Sequence, residues 1–313
     1  MGHMVRSLVL AKQLSNLGYS VQFALDLKSK LGISMVQEEG FGYFLLDSSS
    51  THSSQILKII KKTFADVFIG DTAEGFDIAL IQTLNRLGIL TVAIDEKSDY
   101  AKKCNLCFYP PHANIKINEY EGQVFHGLDY TLIREECFKN FKKNSVGRTG
   151  LEKILVMMGG TDPDKKLLTV LRKVAEEAPT STRIIAVTPE DHPDYYKISR
   201  LAKNISIIKP RRKNISIISQ ADLAIIKFGS TAYELLVLGI PAIHLCLSKD
   251  DFLSSDWFCN QGYAVQTSMK DFTIKNRNLR YLSLNLKIES KKSIACKIDE
   301  ELTTLGQKEK LYL

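Results

Sequence analysis

The stretch MGHMVRSLVLAKQLSNLGYSVQFAL, residues 1–25, decides how the fold is read. From Arg6 to Leu17 the apolar residues Leu8, Ala11, Leu14 and Leu17 recur at helical spacing, Gly18 stands where a helix stops, and Val21 to Leu25 reads as a short buried strand. A helix leading into a strand is half of a βαβ unit. The other half is a first strand, which in such a unit lies upstream and delivers the chain to Gly2 and His3 at its carboxyl end. In a doubly wound domain that strand is interior, so without it two neighbours carry unpaired backbone groups and the apolar core has an open slot. The reading therefore predicts a strand of about five residues and a short Gly-rich turn ahead of Met1, the 313-residue chain being a truncated or misassigned start.

Outward from this stretch the alternation continues to about residue 110: VQFAL, a helix over Ser54 to Phe64, DVFIGD, a helix over Phe76 to Leu87, ILTVAID and CNLCFYP. Between about Gly122 and Gly150 the pattern dissolves into a polar, Gly-containing stretch that reads as an interdomain linker. It then restarts with KILVMM, a helix from about Lys165 to Glu177, RIIAVT, ISIIKP and a short helix near Ile215 to Ser219. DLAIIK, a helix from Thr231 to Leu238, PAIHLCL, a helix over Asp251 to Asn260 and GYAVQT follow. Strict alternation argues for parallel sheets with helices on both faces. The expected fold is α/β, with two Rossmann-like doubly wound domains at residues 1–145 and 146–285 facing a cleft, the first lacking its first strand. A Lys-rich tail at 286–313 reads as a surface helix.

The bulk properties suit that division, since 313 residues exceed one small core and 44% hydrophobic with 25% charged residues is ordinary globular composition. No apolar run approaches the roughly 20 residues of a membrane span, and no signal segment precedes the first helix, so the expected location is cytoplasmic without membrane insertion. The net charge of +7 is spread along the chain and suits anionic ligands such as nucleotides, while no aromatics interleave with the basic residues as a nucleic-acid groove requires. Cys104 and Cys107 form a single CxxC in a strand-like run, which reads as core packing more readily than as a metal or redox pair.

Ligands of open α/β sheets lie at the carboxyl ends of the strands, and two loops of the second half stand out there. LVMMGGTDPDK runs from a strand into Gly159, Gly160 and Thr161; its glycines allow close backbone approach, and the following helix start would offer free N–H groups to an anion. FGSTAYELLVLGIPAI repeats the device with Gly229, Ser230 and Thr231, and Glu234 follows where it could accept from a ribose diol. Each loop alone is also ordinary turn and cap chemistry, and Glu234 three residues after Thr231 is also a plain capping box. Together, at the ends of two strands of one unit, they point to a diphosphate and ribose site.

MGHMVRSLVLAKQL, HGLDYTLIREECF, MMGGTDPDK and FGSTAYELLVLGIPAI, in that order over residues 1 to about 270, resemble the UDP-2,4-diacetamido-2,4,6-trideoxy-β-L-altropyranose hydrolases of pseudaminic acid biosynthesis, with spore-coat polysaccharide proteins as further relatives. The resemblance implies a GT-B fold and cofactor-free, metal-independent hydrolysis of a UDP-linked amino sugar, releasing UDP with inversion. It places the family's Gly-His pair on Gly2 and His3, making His3 the group that activates water, and puts the sugar near Gly2 and the Asp250-Asp251 pair. An unperturbed imidazole titrates near 6.5, suited to a general base at neutral pH. Gly-His-Met is also what a cleaved affinity tag leaves, but RSLVLAKQL continues the family pattern without a break. Three departures bear on the substrate: Asp95-Glu96 stands for Asp-Asp, Asp250-Asp251 for Asn-Gln, and Ala73 for an aromatic residue. A glycosyltransferase using a UDP-sugar donor and a nucleotide-sugar-binding protein without turnover are the competing readings.

Overall fold

Short apolar strands and amphipathic helices alternate along the whole chain in the computed structural model, which describes residues 2–72, 75–140, 151–209, 214–275 and 293–306. Residues 3–132 with 293–306 form one unit and residues 133–275 the other.

In the first unit, α1 (Gly2–Asn16) buries Leu8, Leu10, Ala11 and Leu14 and ends before Gly18, whose φ of 93° suits only glycine well. The expected helix thus begins four residues earlier, with Gly2 and His3 inside its first turn. There follow β1 (Gln22–Asp26), α2 (Lys30–Glu38), β2 (Gly42–Leu46), α3 (His52–Thr63), β3 (Val67–Gly70), α4 (Ile78–Arg86), β4 (Leu90–Ile94), β5 (Leu106–Tyr109) and β6 (Gln123–His126). Every strand pair is parallel, but the strands make two separate sheets, β1-β2 and β3-β4-β5-β6. The helix α1 serves both: Leu8 joins Leu25 and Val36, while Leu10 and Leu14 join Leu90, Val92, Ile94, Leu106 and Phe108.

Two sequence expectations change here. The segment read as linker contains β6, which pairs with β5 and stacks Phe125 on Phe108 at 5.1 Å; Gln123 and His126 at its exposed ends gave it a linker's polarity. The tail helix, α11 (Ile294–Thr304), is not a surface appendage, because Ile294, Ala295, Ile298 and Leu302 are buried in the first unit's core and Asp299 accepts from the Tyr19 hydroxyl at 2.7 Å. Cys104 and Cys107 are core residues whose thiols donate to the Tyr100 and Ala101 carbonyls, and burial pushes the Cys107 thiol up to about 12.

The second unit contains α5 (Glu135–Lys139), β7 (Lys153–Met157), α6 (Leu167–Glu177), β8 (Arg183–Val187), α7 (Tyr195–Ser199), β9 (Ile205–Ile208) and α8 (Ile215–Ile218). β10 (Leu223–Lys227), α9 (Ser230–Leu238), β11 (Ala242–Cys246), α10 (Lys249–Asn260) and β12 (Ala264–Ser268) complete it. Its six strands form one parallel sheet, ordered β12-β11-β10-β7-β8-β9, which is the doubly wound order with the first strand in the middle. Ile154, Leu155 and Val156 of that strand are fully buried, as parallel strands covered by helices on both faces must be. Among the described residues no helix is long and apolar enough to cross a membrane.

Candidate functional site

At the carboxyl ends of β3 and β4 the first turns of α1 meet two carboxylates. His3 and Arg6 are one turn apart and so share a face. The His3 Nδ1 lies 2.6 Å from Asp71 Oδ1, directly after β3. Arg6 donates from Nη2 to the same oxygen at 2.7 Å and from Nε to Oδ2 at 2.9 Å, the Ser7 hydroxyl donates to Oδ2 at 2.8 Å, and Arg6 Nη1 reaches Asp95 Oδ2 at 2.7 Å. Asp95, at the end of β4, holds a φ of 50°, a conformation that aspartate tolerates at a cost on the order of 1 kcal/mol.

Burial of the Asp71 side chain (7% exposed) opposes its charge, but the hydrogen bonds from His3 and Arg6 and the guanidinium's charge outweigh that and hold the acid below the ordinary carboxylate range. His3 Nδ1 lies between Asp71 Oδ1, which can only accept, and Arg6 Nη2 at 3.0 Å, which can only donate, so this nitrogen is tied into the ion-pair network while Nε2 stays outside it. The His3 side chain is 45% exposed and therefore reachable. His112, in the loop after β5, is a second imidazole near Asp95 and Arg6; burial pushes it down to about 4, so it is neutral at pH 7. Gly2 opens α1 and Glu96 turns inward to accept from the Ser98 amide at 2.8 Å. Ala73 lies outside the described residues.

In the second unit the two glycine loops leave neighbouring strands, since β7 and β10 pair with Met157 opposite Ile226. The strand order reverses between these two strands, where open α/β sheets leave a crevice for ligands. Lys227 Nζ donates to Asp164 Oδ2 at 2.6 Å and the Thr231 hydroxyl rests on the Met157 sulfur at 3.9 Å, so the loops are tied side by side. Gly159 has a φ of 81°, and Gly160 and the exposed Thr161 follow it.

The two helix starts differ. Asp162, buried and with a φ of 48°, accepts from the Lys166 and Leu167 amides at 2.9 Å each and meets His192 Nε2 at 3.2 Å. The α6 start is therefore filled by the chain's own carboxylate, which corrects the expectation of free N–H groups there. The α9 start has Gly229 as its cap, with no side-chain acceptor, and a Cβ placed on Gly229 would meet nothing within 4 Å. Gly229, Ser230 and Thr231 thus keep the arrangement expected of an anion seat.

Glu234 forms no capping box, because α9 starts at Ser230 rather than Thr231. Both its oxygens are held by Arg134, from Nε at 2.5 Å and Nη2 at 2.6 Å, and the pair is largely buried. Burial would weaken the Arg134 charge, but Glu234 more than restores it. Asp251 caps α10, accepting from the Leu247 and Ser248 amides while Ser248 accepts from its own amide; Asp250 is exposed on the first turn. The sequence reading missed Arg6, Ser7, Lys227, Asp162 and Arg134 as site residues. The three-residue spacing of His3 and Arg6 and the lysine ending β10 were the available signals.

No family model matches the chain. It is 25% identical over 278 residues to the UDP-2,4-diacetamido-2,4,6-trideoxy-beta-L-altropyranose hydrolase of Campylobacter jejuni, covering 85% of this chain and 93% of that protein. It is also 25% identical over 156 residues to the spore coat polysaccharide biosynthesis protein SpsG of Bacillus subtilis, 47% of this chain and 44% of that one. Among solved structures, Acinetobacter baumannii MurG superposes with a TM-score of 0.63 at 15% identity over 97% of this chain and 96% of its own. The S. aureus MnaA–UDP co-structure does so with a TM-score of 0.63 at 12% identity over 98% and 95%. These likenesses show the fold: two-domain α/β of the GT-B type.

Proposed function

We propose that the protein processes a UDP-linked sugar and that its reaction is hydrolysis of a UDP-2,4-diacetamido-trideoxy sugar, or a related nucleotide amino sugar, to the free sugar and UDP. The observation that carries this is the half-exposed His3, tied through Nδ1 to Asp71 and Arg6 with Nε2 outside that network. Similarity to the Campylobacter hydrolase over most of both chains supports the substrate class, and the UDP complex of a structural neighbour supports a uridine nucleotide.

In this reading His3 Nε2 takes a proton from water as the water oxygen attacks the anomeric carbon. The bond from that carbon to the phosphate oxygen breaks, its electron pair goes to the departing diphosphate, and the anomeric centre inverts. Asp71 stabilises the imidazolium that forms, as a positioned carboxylate does. Gly159, Gly160 and Thr161 with the α9 start at Gly229, Ser230 and Thr231 hold the diphosphate, and the Lys227 charge opposes the one that develops. Glu234, oriented by Arg134, accepts from the ribose with its remaining lone pairs, and Gly2 and Asp250 belong to the sugar side. Asp251 is proposed there as well, through its backbone rather than its committed carboxylate.

Incubation with a panel of UDP-amino sugars, with free UDP as the readout, tests the reading. UDP released without any added acceptor supports hydrolysis, release only with an acceptor replaces it by glycosyl transfer, and binding without release leaves a nucleotide-sugar-binding protein.

A further inference from the structure

We infer that His192 is a positioning residue of the diphosphate loop: its Nε2–H holds the Asp162 carboxylate and through it fixes the backbone of Gly159, Gly160 and Thr161 in the form that receives a diphosphate. The inference rests on the reading of that loop as part of the UDP seat.

β7 and β8 pair in parallel, Val156 opposite Ala186, so the loops leaving their carboxyl ends are neighbours. The first carries Gly159 to Lys165 and the second Thr188 to Asp194. His192 stands in the second with its side chain only 2% exposed. Burying an imidazole is costly unless its ring nitrogens find partners, and here both do. The Asp194 amide, which can only donate, meets Nδ1 at 3.1 Å, so this nitrogen keeps a lone pair and the ring proton is on Nε2. That N–H donates to Asp162 Oδ2 at 3.2 Å. The backbone around the ring is fixed as well. The His192 amide donates to the Pro189 carbonyl, the Tyr195 amide donates to the His192 carbonyl, and α7, which follows, is anchored by the fully buried Ile198.

On the receiving side, Asp162 accepts from the Lys166 amide through Oδ1 and from the Leu167 amide through Oδ2, so Oδ2 joins the start of α6 to His192. Asp162 and Lys165 have φ values of 48° and 53°, a region that residues other than glycine keep only where their surroundings over-determine it. The Lys165 amide donates to the Asp162 carbonyl at 3.0 Å and closes the turn between them. The loop is therefore pinned from the β8 side by His192 at Asp162 and from the β10 side by Lys227 at Asp164. Gly159 and Gly160, which have no side chains of their own to fix them, take their shape from these pins. A loop already held in its binding form spares the cost of ordering it around the ligand.

The test compares UDP and uridine binding to wild type, His192→Leu, His192→Asn and His192→Gln, with calorimetry for UDP and ligand-observed NMR titration for uridine, each protein well below its thermal midpoint. Leucine and asparagine place no donor where Nε2 stands, whereas the glutamine amide does. Uridine has no diphosphate, so a residue that merely supports the fold would change both affinities alike. UDP affinity should fall about tenfold in His192→Leu and His192→Asn, the worth of one hydrogen bond to a charged group, with uridine affinity unchanged. His192→Gln should restore UDP affinity to near that of wild type. Should His192→Leu fail to fold, the smaller and polar His192→Asn gives the same reading. UDP affinity equal to wild type in the variants without the donor overturns the inference, and so does a parallel fall for UDP and uridine or a glutamine variant as weak as the leucine one. A wild type that binds neither UDP nor uridine overturns the nucleotide reading itself, and the inference falls with it.

Discussion

The two units are wound to one plan and stabilised by different means. In the second, an unbroken sheet carries a single core that runs from Ile154 and Val156 across Ile184, Ile225 and Ile243 to α6. In the first, the core is divided among several smaller clusters, one of which joins Leu46 of β2 to Leu80 and Leu84 of α4, and a charged network from α1 to Asp71 and Asp95 reaches the ends of β3 and β4. In the second unit glycine loops at the ends of neighbouring strands shape the candidate site, whereas in the first the ion pairs of α1 with Asp71 and Asp95 hold it, so loss of one pair should be felt there directly.

That contrast can be broken at several points. Replacing His3 by alanine should lower turnover about 100-fold or more, the loss of one general base, while UDP affinity stays within a few-fold; steady-state rates with calorimetry decide it, and near wild-type turnover removes His3 as the base. For the cores, Ile154→Ala should cost about 2–5 kcal/mol in denaturant unfolding as a buried cavity does, and Ile69→Ala about 1 kcal/mol because half its surface is already wet. Equal losses would mean that the division of the first unit's strands into two sheets is not felt.

Gly229→Val sharpens the comparison from the other side. The Gly229 φ of 168° is open to any residue and its Cβ direction is empty, so the thermal midpoint should hold while UDP affinity falls about tenfold, roughly 1.4 kcal/mol, as read by calorimetry. Unchanged affinity would take the nucleotide away from this loop. The smallest effect concerns acid. Because the folded pKa of Asp71 lies below its ordinary value, the network's stability is present above about pH 4 and is lost as pH falls through the lowered value. The advantage of wild type over Asp71→Asn, about 1 kcal/mol at neutral pH, should therefore shrink below about pH 4 in parallel denaturant titrations, and an advantage constant down to pH 2 would contradict it.

What could be read without coordinates follows the same physics. The strands of the second unit were legible because burial on both faces demands unbroken runs such as ILV at 154–156 and AII at 224–226, and the glycine loops because their conformations need glycine. α2 and β2 went unread: the apolar run Tyr43–Leu46 is only four residues long, and Gly42 and Leu45 are exposed in the strand it forms. The Arg6–Asp71 and Arg134–Glu234 pairs are 65 and 100 residues apart, a separation that no local pattern reports. Asp251 was read as a sugar contact when its spacing from Ser248 equally suits a cap, and local hydrogen bonding claimed it.

Asp162 has a further consequence, for the release of ligand. A carboxylate tethered in the chain is present at the α6 amino terminus at an effective concentration that a dissolved phosphate cannot match, so that end is closed to exchange. Of the two helix starts that the sequence offered, only the α9 terminus keeps its amide groups uncapped by a side chain. On the proposed reading, a nucleotide held by one helix terminus has fewer fixed contacts to break on leaving than one held by two.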